Sequence, residues 1–133
     1  MTDATGPLAG LRLLVVDDDT DNLESVSTLL EMNGAEVRRC RTAESAREQW
    51  SAFRPHLLVS DLAMPGENGF DLIVSLRRLS PADGGRLPAI AFSASTDPLV
   101  REQALESGFH TFVHKLDVST LVTTIVGLTR GIG

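Results

Sequence analysis

The sequence predicts a doubly wound α/β fold, a five-stranded parallel sheet in the order 2-1-3-4-5 with helices on both faces. Three observations lead there. Short runs rich in Val, Leu and Ile alternate with segments of helical period along the chain. Runs such as Leu57-Leu58-Val59 are continuously apolar, as in strands covered on both sides. No long linker, repeat or low-complexity stretch interrupts the alternation, and strands joined through helices must run parallel.

The first strand is expected over 12–17, where Leu13, Leu14, Val15 and Val16 lead into an acidic run. A helix over 20–33 places Leu23, Val26, Leu29 and Leu30 on one face, with Asp19 or Thr20 as N-cap and "NG" at 33–34 as the stop. The second strand spans 36–40. The helix over 42–53 turns Ala43, Ala46, Trp50 and Phe53 inward and stops before Pro55. The third strand spans 57–61, and the following helix, 69–79, carries Phe70, Ile73, Leu76 and Leu79. After a fourth strand at 89–93, Asp97 caps a helix that has Pro98 in its first turn and ends at Gly108. A fifth strand at 111–114 precedes a last helix, 118–128, with Leu121, Val122, Ile125 and Leu128 inward. The 133 residues fit a single domain, expected over 10–129 between tails at 1–9 and 130–133.

Composition narrows the function. With 42% hydrophobic and 23% charged residues the chain reads as a folded domain. A net charge of -6 argues against nucleic acid, whose phosphates are held mainly by Lys and Arg. No basic recognition helix is present for a DNA groove. No apolar run is long enough to span a membrane and "MTDATGPLAG" lacks the character of a signal peptide, so a cytoplasmic location is expected. The single cysteine, Cys40, rules out an internal disulfide and reads as a small residue at a strand end.

The chemistry concentrates at strand ends. "VVDDDTDN" at 15–22 sets four carboxylates close together, where they repel one another and call for a positive counterpart. In this fold ligands bind outside the carboxyl ends of the strands at the switch point. Those ends carry Asp17, Asp18 and Asp19 after the first strand, Asp61 after the third, Ser93 after the fourth and Lys115 after the fifth. Such oxygens suit Mg2+: Asp18 and Asp61 can ligate directly, Asp17 directly or through water, and the Ala63 backbone carbonyl can face the same ion. The chemistry suggested is phosphoryl transfer onto Asp61, with the metal and Lys115 neutralising the equatorial oxygens and the Ser93 hydroxyl donating to one of them.

Four motifs, "LLVVDDD" at 13–19, "LLVSDLAMPGENGFDLI" at 57–73, "AIAFSAS" at 89–95 and "FVHK" at 112–115, resemble the receiver domains of bacterial two-component response regulators. The resemblance covers roughly 10–129 and implies a CheY-like, flavodoxin-like sandwich. It implies Asp61 as phosphoacceptor, Asp17 and Asp18 as the acidic metal pair, Lys115 as the phosphate-binding lysine, and Ser93 and Phe112 as the switching hydroxyl and aromatic. It further implies a histidine kinase or histidine phosphotransfer protein as donor. The signal would leave for a downstream protein partner, or into a homodimer, through the face formed by the fourth helix, fifth strand and fifth helix. The domain would be a signalling switch that assists its own phosphorylation and dephosphorylation.

Three positions depart from the family pattern. Leu116 follows Lys115 where proline is common, often after a cis bond, and a trans bond is expected here because a non-proline cis bond costs about 3 kcal/mol. Phe112 stands for the frequent tyrosine and Ser93 for the commoner threonine. Ala63 and Ser95 flank the expected water path to Asp61.

Structural readings compete at several residues. Asp19 and Asp21 suit capping or solvation, and His56, His110 and His114 show no metal-ligand spacing beyond the 110/114 pair, which falls in a predicted strand rather than a helix, so all three read as structural or exposed. A haloacid-dehalogenase-type phosphatase would need a threonine where Asp21 stands, and "DDDTDN" would repel the phosphate of a nucleotide or flavin. A phosphorylation-independent receiver acting as an interaction module is the remaining alternative, kept open by Leu116. "GPLAGLRLLVVDDD" resembles the linker entering a receiver in a hybrid histidine kinase, so the expectation is either such an excised receiver or a stand-alone regulator.

Overall fold

In the computed structural model, which describes residues 5–130, five strands and five helices alternate. The strands are β1 (Arg12–Val16), β2 (Glu36–Cys40), β3 (Leu57–Ser60), β4 (Ala89–Ser93) and β5 (Thr111–His114). They form one parallel sheet in the order β2-β1-β3-β4-β5, as the alternation predicts. The helices are α1 (Thr20–Met32), α2 (Ala43–Phe53), α3 (Gly69–Arg77), α4 (Pro98–Ser107) and α5 (Val118–Thr129). Short 3-10 turns occupy Pro81–Asp83 and Lys115–Asp117.

Alternating strand side chains split the interior into two layers. Leu14, Val16, Leu58 and Ala91 face α2, α3 and α4. Leu13, Val15, Leu57, Val59, Ile90 and Phe92 face α1 and α5. Each fully buried Leu or Ile is worth about 1.5–3 kcal/mol of transfer free energy, which accounts for the apolar runs Leu13–Val16, Leu57–Val59 and Ala89–Phe92 of the central strands.

Helix starts are set by side-chain caps. Asp19 accepts from the N–H groups of Asp21 and Asn22, Thr42 from Ser45, Asn68 from Asp71 and Asp97 from Leu99. These bonds satisfy amides that the helix itself leaves unpaired. At the N-terminal ends of the strands two histidines act alike. His56 Nδ1 accepts the Arg12 N–H at 2.9 Å, and His110 Nδ1 accepts the Ala89 N–H at 3.1 Å, so each closes the first amide of the neighbouring strand.

Two sequence expectations need correction. Helix α3 ends at Arg77 rather than at 79, and Leu79 is 38% exposed while Leu72 is fully buried. The buried stripe runs through Leu72, Ile73 and Leu76, and beyond it the Leu79 N–H bonds to the Leu76 carbonyl as the chain leaves the helix axis. The segment expected as an N-terminal tail, 1–9, is packed in its described part: Leu8 is fully buried and its N–H bonds to the Asn33 carbonyl at 2.9 Å. An isolated leucine gains from covering the base of α1, so the folded unit begins before residue 10. The rest of that tail, 1–4, and 131–133 of the expected C-terminal tail lie outside the described residues.

Candidate metal and phosphoryl site

The acidic cluster forms because β1 and β3 are neighbours and end level with each other. Val16 pairs with Ser60, and the Asp61 N–H continues the ladder to the Val16 carbonyl at 2.8 Å. Asp17 is held likewise, its N–H bonded to the Cys40 carbonyl at 3.0 Å. Asp17 and Asp61 thus leave the sheet side by side, both buried, with half-buried Asp18 beside them. One oxygen from each of the three carboxylates lies within 4.8 Å of the others.

The two buried carboxylates are oriented before any ligand arrives. Asp17 Oδ1 accepts the Asp19 N–H at 2.9 Å, and Asp61 Oδ1 accepts the Leu62 N–H at 2.8 Å. Lys115 Nζ sits 2.8 Å from Asp17 Oδ2 and 3.3 Å from Asp61 Oδ2. Gly69 closes the site from behind, since a Cβ there would lie 2.2 Å from the Asp61 carbonyl oxygen. Glycine is required at that position by the contact, whatever its backbone angles.

Electrostatics follow from this packing. Burial, the largest influence, raises the Asp61 pKa, and Asp17 adds to the rise while Lys115 and the Leu62 N–H pull against it. For Lys115 burial alone would lower the pKa, but the hydrogen bond to Asp17 and the charges of Asp61 and Asp17 outweigh it and raise the value. One ammonium faces three carboxylates, so the cluster retains excess negative charge. A hard, oxygen-seeking divalent cation such as Mg2+ fits this donor set in charge and ligand type.

A profile of the response regulator receiver domain matches residues 13–126. The chain belongs to that family. The receiver is 42% identical over 108 residues to a 14.6 kDa protein from the sodA1 3'region of Leptolyngbya boryana, covering 81% of each chain. It is 35% identical over 104 residues to the DNA-binding response regulator MtrA of Mycolicibacterium smegmatis, covering 78% of this chain but 43% of that protein. Its fold is similar to the receiver domain of the Francisella response regulator 1452, with a TM-score of 0.82 at 22% identity over 93% of this chain and all of that one. The Vibrio cholerae chemotaxis response regulator CheY4 superposes with a TM-score of 0.80 at 23% identity, covering 91% and 98% of the two chains.

The receiver brings Asp17, Asp18, Asp61 and Lys115 together, whereas the other expected residues stand at its edges. Ser93 is buried at the end of β4, and its Oγ accepts the Ser95 N–H at 3.1 Å. Phe112 is half-buried and packs on the layer formed with α2, α3 and α4. Ala63 is exposed on the loop after Asp61. All described peptide bonds are trans, including the bond between Lys115 and Leu116, and Leu116 is 85% exposed.

His114 has a role that spacing alone did not disclose. Its Nδ1 accepts the Leu116 N–H at 3.0 Å and its other ring nitrogen lies 2.9 Å from the Ala94 carbonyl. With Nδ1 accepting, the ring hydrogen sits on Nε2 and donates to Ala94. The imidazole therefore ties the Lys115 turn to the loop that follows Ser93. The only signal in the sequence is that Leu116, unlike proline, has an N–H to place.

Proposed function

We propose that this receiver accepts a phosphoryl group on Asp61 in a Mg2+-dependent reaction and passes the new state on by protein contact. The observation that carries the reading is the placement of one lysine against two buried, oriented strand-end carboxylates, with a third carboxylate completing an oxygen cluster. An Asp61 oxygen attacks phosphorus in line, the O–P bond forms as the bond to the donor breaks, and the donor leaves with its electron pair. With a phosphohistidine donor that bond is N–P, and the imidazole is released to take up a proton. Lys115 carries the growing charge on one equatorial oxygen. The Ser93 hydroxyl, accepting from Ser95, keeps its own hydrogen free to donate to another.

Asp17, Asp18 and Asp61 would hold the ion, with the Ala63 carbonyl as a further oxygen, and when bound it supplies charge neutralisation at the phosphoryl oxygens. The donor is a histidine kinase or a histidine phosphotransfer protein. Movement of Ser93 toward the phosphoryl group lets the Phe112 ring turn inward, which changes the surface of α4, β5 and α5 offered to a protein partner or a second copy. A cytoplasmic location accords with this reading; among the described residues no helix is long and apolar enough to cross a membrane.

Intact mass after incubation with acetyl phosphate tests the proposal. The expected result is a gain of one phosphoryl group that needs Mg2+ and disappears in Asp61→Asn. A label that survives Asp61→Asn but not Asp17→Asn would instead indicate a phosphatase-like nucleophile. No gain at all in the wild type would leave a phosphorylation-independent interaction module.

A further inference from the structure

At the other end of the sheet, between α2, α3 and the turn at 81–87, the structure opens a cavity of about 580 Å3. Arg12 starts β1 on this edge and Asp17 follows its far end, so five residues of strand, roughly 16 Å, separate the cavity from the acidic cluster. The volume falls in the range of small-molecule sites. Trp50, Pro55, Leu76, Leu79 and Leu87 make an apolar wall. Leu79 is the residue whose period promised a core position, yet it stands 38% exposed on this wall.

Three arginines line the cavity, in a chain whose net charge is -6. Arg47 is paired with Glu67 and is already neutralised. Arg12 is fixed by its Nε, which donates to the Phe53 and Arg54 carbonyls at 3.1 and 2.9 Å, and its two terminal amino groups have no partner among the described residues. The guanidinium of Arg54 likewise has none there. His56 accepts the Arg12 N–H through Nδ1, which leaves an Nε2–H to donate. The single carboxylate on the lining, Asp83, already accepts from Ser80 at 3.0 Å.

Arg54 also stands against its backbone preference. It terminates α2 at φ 54° and ψ 64°, and no other non-glycine among the described residues has a positive φ. Glycine or asparagine ends helices in this left-handed conformation at less strain. The strain is held by contacts at the cavity itself: the Arg54 N–H caps α2 on the Trp50 carbonyl at 3.0 Å and its carbonyl accepts from Arg12 Nε at 2.9 Å.

We propose that this cavity binds a small organic anion with an apolar body, its charged group held by Arg12 and Arg54 and its body against Trp50 and the leucines. The site is independent of phosphorylation on Asp61. Trp50 is the only tryptophan in the chain, so binding has a built-in reporter. Titration with 8-anilinonaphthalene-1-sulfonate should give saturable 1:1 binding, with Trp50 emission quenched as dye emission rises. Arg54→Gly removes the cation while relieving the backbone, so it should keep its melting transition and bind at least tenfold more weakly. Arg54→Asn, which also tolerates the left-handed conformation, should behave in the same way. The neutral N-phenyl-1-naphthylamine should bind more weakly than the sulfonate. Unchanged affinity in both variants, equal binding of the neutral dye, or dye binding without quenching of Trp50 would each overturn the proposal.

Discussion

Asp61 is buried among like charges, and this dictates how the metal-free protein responds to its removal. Burial raises its pKa in the folded state, so its contribution to stability is fully present below the unfolded carboxyl value of about 4 and is lost as pH rises through the folded value. Asp61→Asn should therefore raise the melting temperature by a few degrees at pH 7 without Mg2+, with the gain shrinking toward pH 4. Addition of Mg2+ should reverse the order of the two proteins, because only the wild type keeps all three carboxylates; thermal melts with and without the ion test both statements. Gly69→Ala is expected to cost about 1–3 kcal/mol by denaturant titration, since its Cβ would meet the Asp61 carbonyl at 2.2 Å. His114→Ala should leave the fold intact but remove the protection of the Leu116 amide, which hydrogen exchange reads directly. The acidic residues and Lys115 were legible from their positions after apolar runs. The His114 tie was not, because it joins β5 to a loop twenty residues away.

At the scale of elements, the caps Thr42 and Asn68 showed only in the structure, but Asp19, Asp97 and the stops at 33–34 and before Pro55 were legible because caps and stops are local: each cap bonds to an amide two or three residues ahead. The end of α3 was not, because Leu79 continues the apolar period past the point where the chain turns away. The histidines at the N-terminal ends of β1 and β4 act between elements. Burial and a neighbouring arginine, Arg12 or Arg77, lower the pKa of His56 and His110. Their stabilising effect is present above the unfolded value of about 6.5 and lost as pH falls through the folded values, since a proton on Nδ1 would face an N–H donor. In an Asp61→Asn background, which removes the opposing titration, urea midpoints should fall between pH 7.5 and 5.5. Replacing both histidines with glutamine should flatten that dependence.

For the molecule as a whole, the sheet separates two interiors that share no buried side chain among the described residues. Ile73→Val on the α3 side and Ile90→Val on the α1 and α5 side should each cost about 0.5–1.5 kcal/mol and add within about 0.5 kcal/mol in the double variant. A larger coupling measured by chemical denaturation would mean that the sheet transmits repacking from one layer to the other. What the sequence by itself determined is the alternation of elements, the parallel order of the sheet and the acidic strand ends, because periodicity, crossover geometry and strand termination are all short-range properties of the chain. Only the tertiary structure decided which oxygen of each aspartate meets Lys115, that Leu8 joins the core, and that Arg12, Arg54 and Trp50 surround one cavity. These depend on which side chains meet across elements far apart in sequence, and packing in three dimensions alone sets those distances.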